Sequence, residues 1–296
     1  MVKRMLRVGL VQHACTHDRH ANLAATVDGI ERAAAGGAQL VLLQELHRSL
    51  YFCQQEDPQQ FELAETIPGE TTTILGELSK ALGIVIVGSL FEQRAAGIYH
   101  NTAVVLESDG SLAGIYRKMH IPDDPGYFEK YYFTPGDTGF VTIATSLGKL
   151  GVLVCWDQWY PEAARLMALD GAEILLYPTA IGWDHNAADS IKSTELDAWL
   201  TVHRAHAISN SLPVLACNRV GFEPQQPGAS RGIRFWGNSC VIDARGTILA
   251  NAGDEQTVAL LADIDLAETG QLRTTWPFFR DRRIDAYDDL LKRYRN

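Results

Sequence analysis

The chain has 296 residues, enough for one large domain or two small ones, and its 46% hydrophobic and 21% charged residues exclude a disordered chain and a coiled coil. Its 36 acidic residues outnumber 26 basic ones, and the net charge of -10 argues against nucleic-acid binding and suits a cationic small ligand. No stretch approaches the ~18 apolar residues needed to span a membrane, which argues against a membrane-embedded protein.

The N-terminal segment and the cysteines favour a cytoplasmic protein. The segment MVKRMLRVGLVQHAC is basic and then apolar, but its apolar run VGLV is far too short for a signal peptide. The five cysteines are odd in number and show no CxxC pair or other spacing typical of metal sites: Cys15, Cys53, Cys155, Cys217 and Cys240. We therefore expect reduced thiols and a cytoplasmic location.

Short β-rich runs alternate with helical patterns along the first half of the chain. The residues RVGLVQ (7–12) predict a strand, and the next segment carries apolar residues at helical spacing: Leu23, Val27, Ile30 and Ala34. The other predicted elements are a buried strand at 38–45, a helix at 71–83, a strand at 84–90 and a hairpin at 101–118 that turns at Asp109–Gly110. This alternation is typical of an α/β protein.

The second half repeats the order of the first. KLGVLVCWD (149–157) corresponds to LRVGLVQHA (6–14), and GAEILLYPT (171–179) matches GAQLVLLQE (37–45) almost position for position. Two further segments, SLPVLACNR and GNSCVIDARGTILA, correspond in the same order to LGIVIVGSL and HNTAVVLESDGSLA. Between them, YPEAARLMALDG predicts a helix with its proline in the first turn. We therefore predict two pseudo-repeated halves.

Each predicted half needs cover on both faces of its sheet. Packing the two sheets against each other, with helices outside, gives a four-layer αββα sandwich. No linker rich in Pro, Gly or Ser separates the halves, so we predict a single domain over residues 1–296. Residues 275–296, which include WPFFRDRRIDAY, have no counterpart in the first half, and they suit a subunit contact or a cover for the sheet edge.

Four residues are candidates for chemistry. Glu45 after LVLLQ and Cys155 after VLV lie at strand ends, where open α/β sheets bind ligands. Lys118 closes the hairpin, and Glu129 lies in the aromatic loop PGYFEKYYFTPGD. Taken singly, each has an ordinary explanation as a cap, a solvated charge or a buried thiol.

Together, these residue types suit attack on an amide or ureido carbonyl. The reaction needs a thiolate, a base to generate it, and positive charge where the oxyanion develops. A carboxylate among apolar residues exchanges protons near neutrality, and an ammonium favours the thiolate and binds the oxyanion, as the nearby Trp156 N–H also can. The nine histidines show no metal-binding pattern, and none stands out among the possible partners for a cysteine: His120, His185, His203 and His206.

Three segments resemble the Glu, Lys and Cys boxes of the nitrilase superfamily of carbon–nitrogen hydrolases. They are LVLLQEL, YRKMHIPDDPGYFEKYYFTPGDTGF and VLVCWDQWYPEAARLMALDGAEILLYPTAIG, and they occur in the family's order. The resemblance covers nearly the whole chain, and within the superfamily it is most similar to the N-carbamoylputrescine amidases. It implies the αββα sandwich, no metal or organic cofactor, a small-molecule substrate, and a homodimer or higher homo-oligomer.

The resemblance also implies a role for each matching residue. Glu45 matches the general base and acid, Lys118 the oxyanion stabiliser, and Cys155 the nucleophile. Glu129 matches a second glutamate that holds the lysine. In the implied reaction, N-carbamoylputrescine forms a Cys155 thioester as ammonia leaves, and water then releases carbon dioxide and putrescine, a step of polyamine synthesis from agmatine.

The fold does not settle the substrate. The ammonium of putrescine calls for a carboxylate or an aromatic face, and Asp184 in AIGWDHN could supply the carboxylate or could instead form an Asx turn. Aromatic residues that could wall the polymethylene chain are Tyr51, Tyr127 and Trp156. Arg48 stands where such amidases more often carry an acidic residue; turned inward it would favour a carboxylate-bearing substrate, but we expect it to face solvent.

Two alternatives stay open. One is the same chemistry on another amide or N-carbamoyl substrate, as in β-ureidopropionases and ω-amidases. The other is a non-enzymatic thiol sensor or scaffold. The intact set of two glutamates, a lysine and a cysteine argues against the scaffold, which would be expected to have lost at least one of them.

Overall fold

The computed structural model describes residues 3–295 and places them in two six-stranded sheets and one three-stranded sheet. The strands are β1 (Met5–Gln12), β2 (Leu40–Leu43), β3 (Val85–Ala95), β4 (Ile98–Leu106), β5 (Leu112–Arg117), β6 (Ile143–Thr145), β7 (Gly148–Val152), β8 (Ile174–Pro178), β9 (Gly182–Asp184), β10 (Val214–Cys217), β11 (Val220–Pro224), β12 (Gly232–Trp236), β13 (Cys240–Ile242), β14 (Ile248–Asn251) and β15 (Val258–Asp265). The helices are α1 (Arg19–Ala35), α2 (Glu70–Leu82), α3 (Glu129–Tyr132), α4 (Pro161–Leu169), α5 (Asp189–Asn210) and α6 (Glu268–Thr275), with 3₁₀ turns at Phe52–Gln54, Pro58–Leu63, Cys155–Trp159, Ile284–Ala286 and Asp288–Leu291.

The two large sheets have the same strand order, which confirms the predicted pseudo-repeat. The first runs β15-β1-β2-β3-β4-β5, and the second runs β6-β7-β8-β10-β13-β14. In the first, β1, β2 and β3 are parallel and are followed by the antiparallel β4 and β5. In the second, β7, β8 and β10 are parallel and are followed by the antiparallel β13 and β14.

The alternation of side chains along each strand builds the four layers. Leu40 and Leu42 of β2 belong to the core that joins the two sheets, which includes Leu176 of β8. Val41 and Leu43, which point the other way, pack in a second core with residues of α1 and α2. Helices α4 and α5 cover the outer face of the second sheet. The predicted αββα sandwich is therefore confirmed.

Helix α1 packs on a face rotated from the one that the apolar spacing predicts. Of the four expected residues only Ile30 is buried, whereas Asn22, Thr26 and Gly29 are buried beside it. A Cβ on Gly29 would lie 2.3 Å from Val11 Cγ1, so the missing side chain lets the helix rest directly on β1. The buried polar residues are hydrogen-bonded, as Asn22 Nδ2 is to the main-chain oxygen of Arg48. Close backbone approach and polar contacts thus outweigh the apolar stripe.

A third sheet, a helix and a strand have no equivalent among the predictions. The third sheet, in the order β11-β12-β9, turns the segment AIGWDHN from an expected loop into a short strand. Helix α5 and strand β15 are also new; β15 pairs antiparallel with β1, so residues from the second half complete the first sheet. Among residues 3–295, no helix is long and apolar enough to cross a membrane.

Candidate active site

The structure brings three of the four predicted residues into direct contact. Glu45 lies two residues after β2, Lys118 directly follows β5, and Glu129 begins α3. Lys118 Nζ lies 2.9 Å from Glu45 Oε1 and 2.7 Å from Glu129 Oε2, and all three side chains are buried. Cys155, in the turn after β7, lines the same cavity as Glu129. The parallel strands of the two halves therefore end around one site.

Lys118 is a buried cation held between two carboxylates. Burial alone would lower the pKa of its ammonium, but the negative charges of Glu129 and Glu45 outweigh this effect and raise the pKa well above its usual value. The side chain therefore stays charged across the range in which enzymes operate. A fixed positive charge in a water-poor site is the feature that stabilises a developing oxyanion.

Glu45 is fixed through one carboxylate oxygen and through its main chain. Asn101 Nδ2 donates to Glu45 Oε1 at 2.7 Å, and an Arg219 Nη donates to the main-chain carbonyl of Glu45 at 2.7 Å. The other oxygen, Oε2, is buried and has no hydrogen-bond partner among residues 3–295. That oxygen is free to accept a proton. No local pattern in the sequence marks Asn101 or Arg219 as part of the site.

Cys155 is presented by a strained turn. Its φ of 42° lies in the left-handed region, which is uncommon for a residue with a side chain and frequent at functional sites. Burial and the negative charge of Glu45 raise the pKa of the thiol well above its usual value, although Lys118 acts in the opposite direction. The resting residue is therefore a thiol, so a nearby base must remove its proton before it can attack.

Glu129 connects Lys118 to Tyr51. The Tyr51 hydroxyl donates to Glu129 Oε1 at 2.7 Å, and Lys118 occupies the other oxygen. Burial raises the pKa of Glu129 to about 7, although the positive charge of Lys118 and both hydrogen bonds oppose the shift. Glu129 therefore holds the lysine as an anion only at neutral and higher pH.

A cavity of about 450 Å³ opens above the cysteine. Its lining is mostly aromatic and apolar, with three acidic residues: Pro122, Asp124, Pro125, Tyr127, Glu129, Cys155, Trp156, Trp159, Ile181, Gly182, Glu195, Ala198 and Trp236. No lysine or arginine is among these lining residues. Desolvation and the charge of Asp184 raise the pKa of Glu195. The cavity thus combines apolar walls with negative charge, which suits a cation on an alkyl chain.

The predicted substrate-binding residues are only partly brought together. Tyr127 and Trp156 line the cavity, and Tyr127 is anchored by a hydrogen bond of 3.0 Å from its hydroxyl to the carbonyl of Gly182. Tyr51 lies behind Glu129 rather than on the cavity wall. Asp184 is exposed outside the lining and accepts a hydrogen bond of 2.8 Å from the Asn186 N–H, which is the Asx turn considered as its alternative.

Arg48 does not face solvent, so that expectation is wrong. Its side chain is buried, and one Nη donates to Glu70 at 2.9 Å and to the Thr71 hydroxyl at 2.8 Å. It does not line the cavity above Cys155 either. The sequence misled because the partners that neutralise this arginine, which include Glu65, lie beyond the local segment.

The site offers no cluster that would hold a metal. Within residues 3–295, no group of three or more His, Cys, Asp or Glu side chains has the arrangement of a metal site. All five cysteines are free thiols. The possible histidine partners are engaged by other groups: His120 contacts Asp157, His203 and His206 contact main-chain carbonyls in the core, and the His185 ring packs on Phe222. The groups that the structure brings together at this site are the thiol, the ammonium and the two carboxylates.

Known proteins match this chain over nearly its whole length. The family model described as carbon-nitrogen hydrolase matches residues 7–274. An N-carbamoylputrescine amidase of Solanum lycopersicum is 43% identical over 97% of this chain and 95% of its own, and a citrullinase of Francisella tularensis is 41% identical over 98% and 99%. The crystal structure of a carbon-nitrogen hydrolase from Helicobacter pylori is 52% identical, covers 99% of this chain and 100% of that chain, and has a TM-score of 0.95. The likeness therefore extends over both halves of the sandwich.

Proposed function

The chain belongs to the carbon–nitrogen hydrolase family and acts on carbon–nitrogen bonds other than peptide bonds, and we propose that its substrate is N-carbamoylputrescine. The products would be putrescine, carbon dioxide and ammonia, and the enzyme would serve polyamine synthesis from agmatine. The observation that carries the choice of substrate is the cavity above Cys155. Its lining includes Asp124 and Glu195 beside the lysine-bound Glu129 and, within residues 3–295, no lysine or arginine.

In the first half-reaction, Cys155 attacks the carbamoyl carbon. Glu45 Oε2, which is buried without a hydrogen-bond partner within residues 3–295, accepts the thiol proton. The new oxyanion is stabilised by the Lys118 ammonium and by the main-chain N–H of Trp156. Glu45 then donates the proton to the terminal amino group, ammonia leaves, and a carbamoyl thioester remains on Cys155.

In the second half-reaction, water replaces ammonia. Glu45, now ionised, removes a proton from the water as it attacks the thioester carbon, and Lys118 stabilises the second oxyanion. The carbon–sulfur bond breaks, the thiol regains its proton from Glu45, and an N-alkyl carbamic acid is released. The carbamic acid transfers its proton to nitrogen, loses carbon dioxide and gives the free amine. Throughout the cycle Glu129 holds the lysine.

The acidic lining distinguishes among substrates with the same ureido group. In this proposal, Asp124 and Glu195 attract the distal ammonium of N-carbamoylputrescine, while Trp156 and Trp159 pack on its methylene chain. A β-ureido acid or an ω-amide would place a carboxylate among these acids, and the lining residues described within 3–295 include no arginine or lysine to pair with it. Citrulline carries an ammonium and a carboxylate, so the acidic lining would attract its ammonium and repel its carboxylate.

The direct test is ammonia release from N-carbamoylputrescine, citrulline and N-carbamoyl-β-alanine, compared as kcat/KM. We expect N-carbamoylputrescine to be preferred over the carbamoyl acid by ~100-fold or more, about 2.7 kcal/mol of differential transition-state binding. A preference for either carboxylate-bearing substrate would overturn the substrate assignment. Cys155→Ala, which removes the nucleophile with little change in volume, should abolish turnover of every substrate.

We also propose a homodimer or a higher homo-oligomer that uses the C-terminal segment. Large apolar side chains after α6 are exposed, with Leu291 at 95% and Tyr294 at 82%. Leu166 and Leu169 of α4 are exposed as well. Burying them against a second copy would remove this apolar surface from water. Each copy in this proposal is a single domain. The mass of the purified protein in solution tests the assembly, and cell fractionation tests the cytoplasmic location.

A further inference from the structure

Asp157 connects the segment that carries Lys118 to the segment that carries Cys155. Its side chain is fully buried and accepts four hydrogen bonds. Oδ2 accepts from the main-chain N–H of Val154 at 2.9 Å and from the Tyr116 hydroxyl at 2.8 Å. Oδ1 accepts from His120 twice, from the main-chain N–H at 3.0 Å and from Nδ1 at 2.7 Å. A buried carboxylate with four donors is held rigidly.

The four donors flank the two residues proposed to act on the substrate. Val154 directly precedes the nucleophile Cys155, while Tyr116 and His120 lie two residues before and two residues after Lys118. The His120 ring also stacks on Tyr160, which directly follows the 3₁₀ turn Cys155–Trp159, with centroids 3.8 Å apart and planes 4° from parallel. One carboxylate therefore bridges the segment that carries the ammonium and the segment that carries the thiol.

We propose that Asp157 is a positioning residue that acts with His120 and Tyr116 to align Lys118 with the carbon attacked by Cys155. This inference rests on the proposed function, in which Lys118 binds the oxyanion. None of the three positioning residues lines the cavity, so they act through Lys118 and Cys155 rather than through substrate contacts. Small displacements of an oxyanion donor are costly in rate, because its contact counts only at the transition state.

A merely structural role for the same network makes a different prediction. Loss of one hydrogen bond would then lower the melting temperature, but the folded fraction would turn over at the normal rate. Loss of alignment lowers kcat of the folded enzyme and leaves KM nearly unchanged, because the substrate contacts in the cavity are intact. The two roles are therefore separated by kcat and KM measured well below the melting temperature.

Two matched pairs of variants make the comparison. In His120→Asn, the amide Nδ2 takes the place of the ring Nδ1 and keeps the hydrogen bond to Asp157. In His120→Gln, the amide reaches the place of Nε2, and the side-chain bond to Asp157 is lost. Tyr116→Phe removes a hydroxyl that donates to Asp157; Tyr177→Phe removes a buried hydroxyl with no partner among residues 3–295. We expect kcat to fall about tenfold or more in His120→Gln and Tyr116→Phe and to change less than about twofold in Tyr177→Phe. His120→Asn, which keeps the hydrogen bond but loses the ring stack on Tyr160, should retain more kcat than His120→Gln.

A second measurement does not depend on the natural substrate. In the reaction of iodoacetamide with Cys155, the thiol loses its proton to a base, the carbon–sulfur bond forms and iodide leaves. The modified peptide is quantified by mass spectrometry. Because the positive charge of Lys118 favours the thiolate of Cys155, a displaced Lys118 should slow alkylation in His120→Gln and Tyr116→Phe. Alkylation should be unchanged in Tyr177→Phe and slowed less in His120→Asn than in His120→Gln. Wild-type kcat and wild-type alkylation in both His120→Gln and Tyr116→Phe would overturn the positioning role. If the unaltered enzyme does not hydrolyse N-carbamoylputrescine, the proposed function fails and alkylation alone decides the positioning role.

Discussion

Arg219 donates a hydrogen bond of 2.7 Å to the main-chain carbonyl of Glu45, and so a residue of the second half holds the proposed base of the first. The same guanidinium donates to the carbonyls of Leu46 and Ser49 and forms a buried ion pair with Glu223 at 2.8 Å. Leu46 has a φ of 49°, in the left-handed region. The planar fork of arginine thus keeps a strained loop in place.

Replacement of Arg219 by lysine is expected to lower kcat by about tenfold or more, because a single ammonium cannot serve three carbonyls and a carboxylate in fixed geometry. The matched control is Arg48→Lys, which removes another buried guanidinium, bonded to Glu70 and Thr71 away from the cavity. Both variants should melt at lower temperature. Only Arg219→Lys should lose kcat in the folded state; equal kcat values in the two variants would remove Arg219 from the support of Glu45.

Glu129 predicts the acid limb of the pH–rate profile. With its pKa raised to about 7 by burial, it loses its charge as the pH falls below neutrality, and its hold on Lys118 then weakens. We expect kcat/KM to decrease below about pH 7. Tyr51→Phe removes a hydrogen bond that favours the ionised carboxylate, so the limb should move to higher pH by about one unit, or about 1.4 kcal/mol.

The control for this shift is Tyr177→Phe, whose hydroxyl has no partner within residues 3–295. Its acid limb should coincide with that of the unaltered enzyme. An acid limb that stays in place in Tyr51→Phe would show that another group controls the low-pH activity.

Glu195 is expected to bind the distal ammonium of N-carbamoylputrescine. Butylurea has the same ureido group and four-carbon chain as N-carbamoylputrescine but ends in a methyl group. The kcat/KM for N-carbamoylputrescine divided by that for butylurea therefore isolates the contribution of the ammonium. Glu195→Gln should lower this ratio by about tenfold, about 1.4 kcal/mol, with little change for butylurea. Asp184→Asn is the comparison: Asp184 lies outside the cavity lining and acts on Glu195 only through its charge, so a smaller loss is expected. A larger loss in Asp184→Asn than in Glu195→Gln would return the ammonium site to the residue that the sequence suggested.

Local patterns and spacing in the sequence were enough to predict most of the strands and three residues of the candidate site. The strands, the hairpin and the repeat followed from apolar alternation and turn residues, and the positions of Glu45, Lys118 and Cys155 followed from the strand ends. The sequence could not reveal Arg219 or Asp157, whose importance arises from partners in the other half of the sandwich. Long-range contacts of this kind leave no periodic signal in a single chain.

Buried neutral histidines predict a loss of stability in acid. Burial lowers the pKa of His13 to about 4 and the pKa values of His47 and His203 to about 3. Below pH 6.5 the unfolded chain therefore binds more protons at these sites than the folded chain, so the free energy of unfolding falls as the pH falls towards about 4. For His13 alone the loss approaches about 3 kcal/mol. The raised pKa of Glu129 gives an offset of similar size, so the contributions of His47 and His203 leave a net loss of stability in acid.

Chemical denaturation between pH 7 and pH 4 measures this loss, and His203→Asn tests its origin. The asparagine amide replaces the Nδ1 donor to the Trp199 carbonyl but does not titrate, so the variant should show a weaker dependence of unfolding free energy on pH, whatever its stability at pH 7. His20→Asn removes a histidine whose side chain is 91% exposed and should keep the full dependence. Identical pH dependence in both variants would contradict the assignment, because only the buried imidazole must remain neutral for the chain to fold.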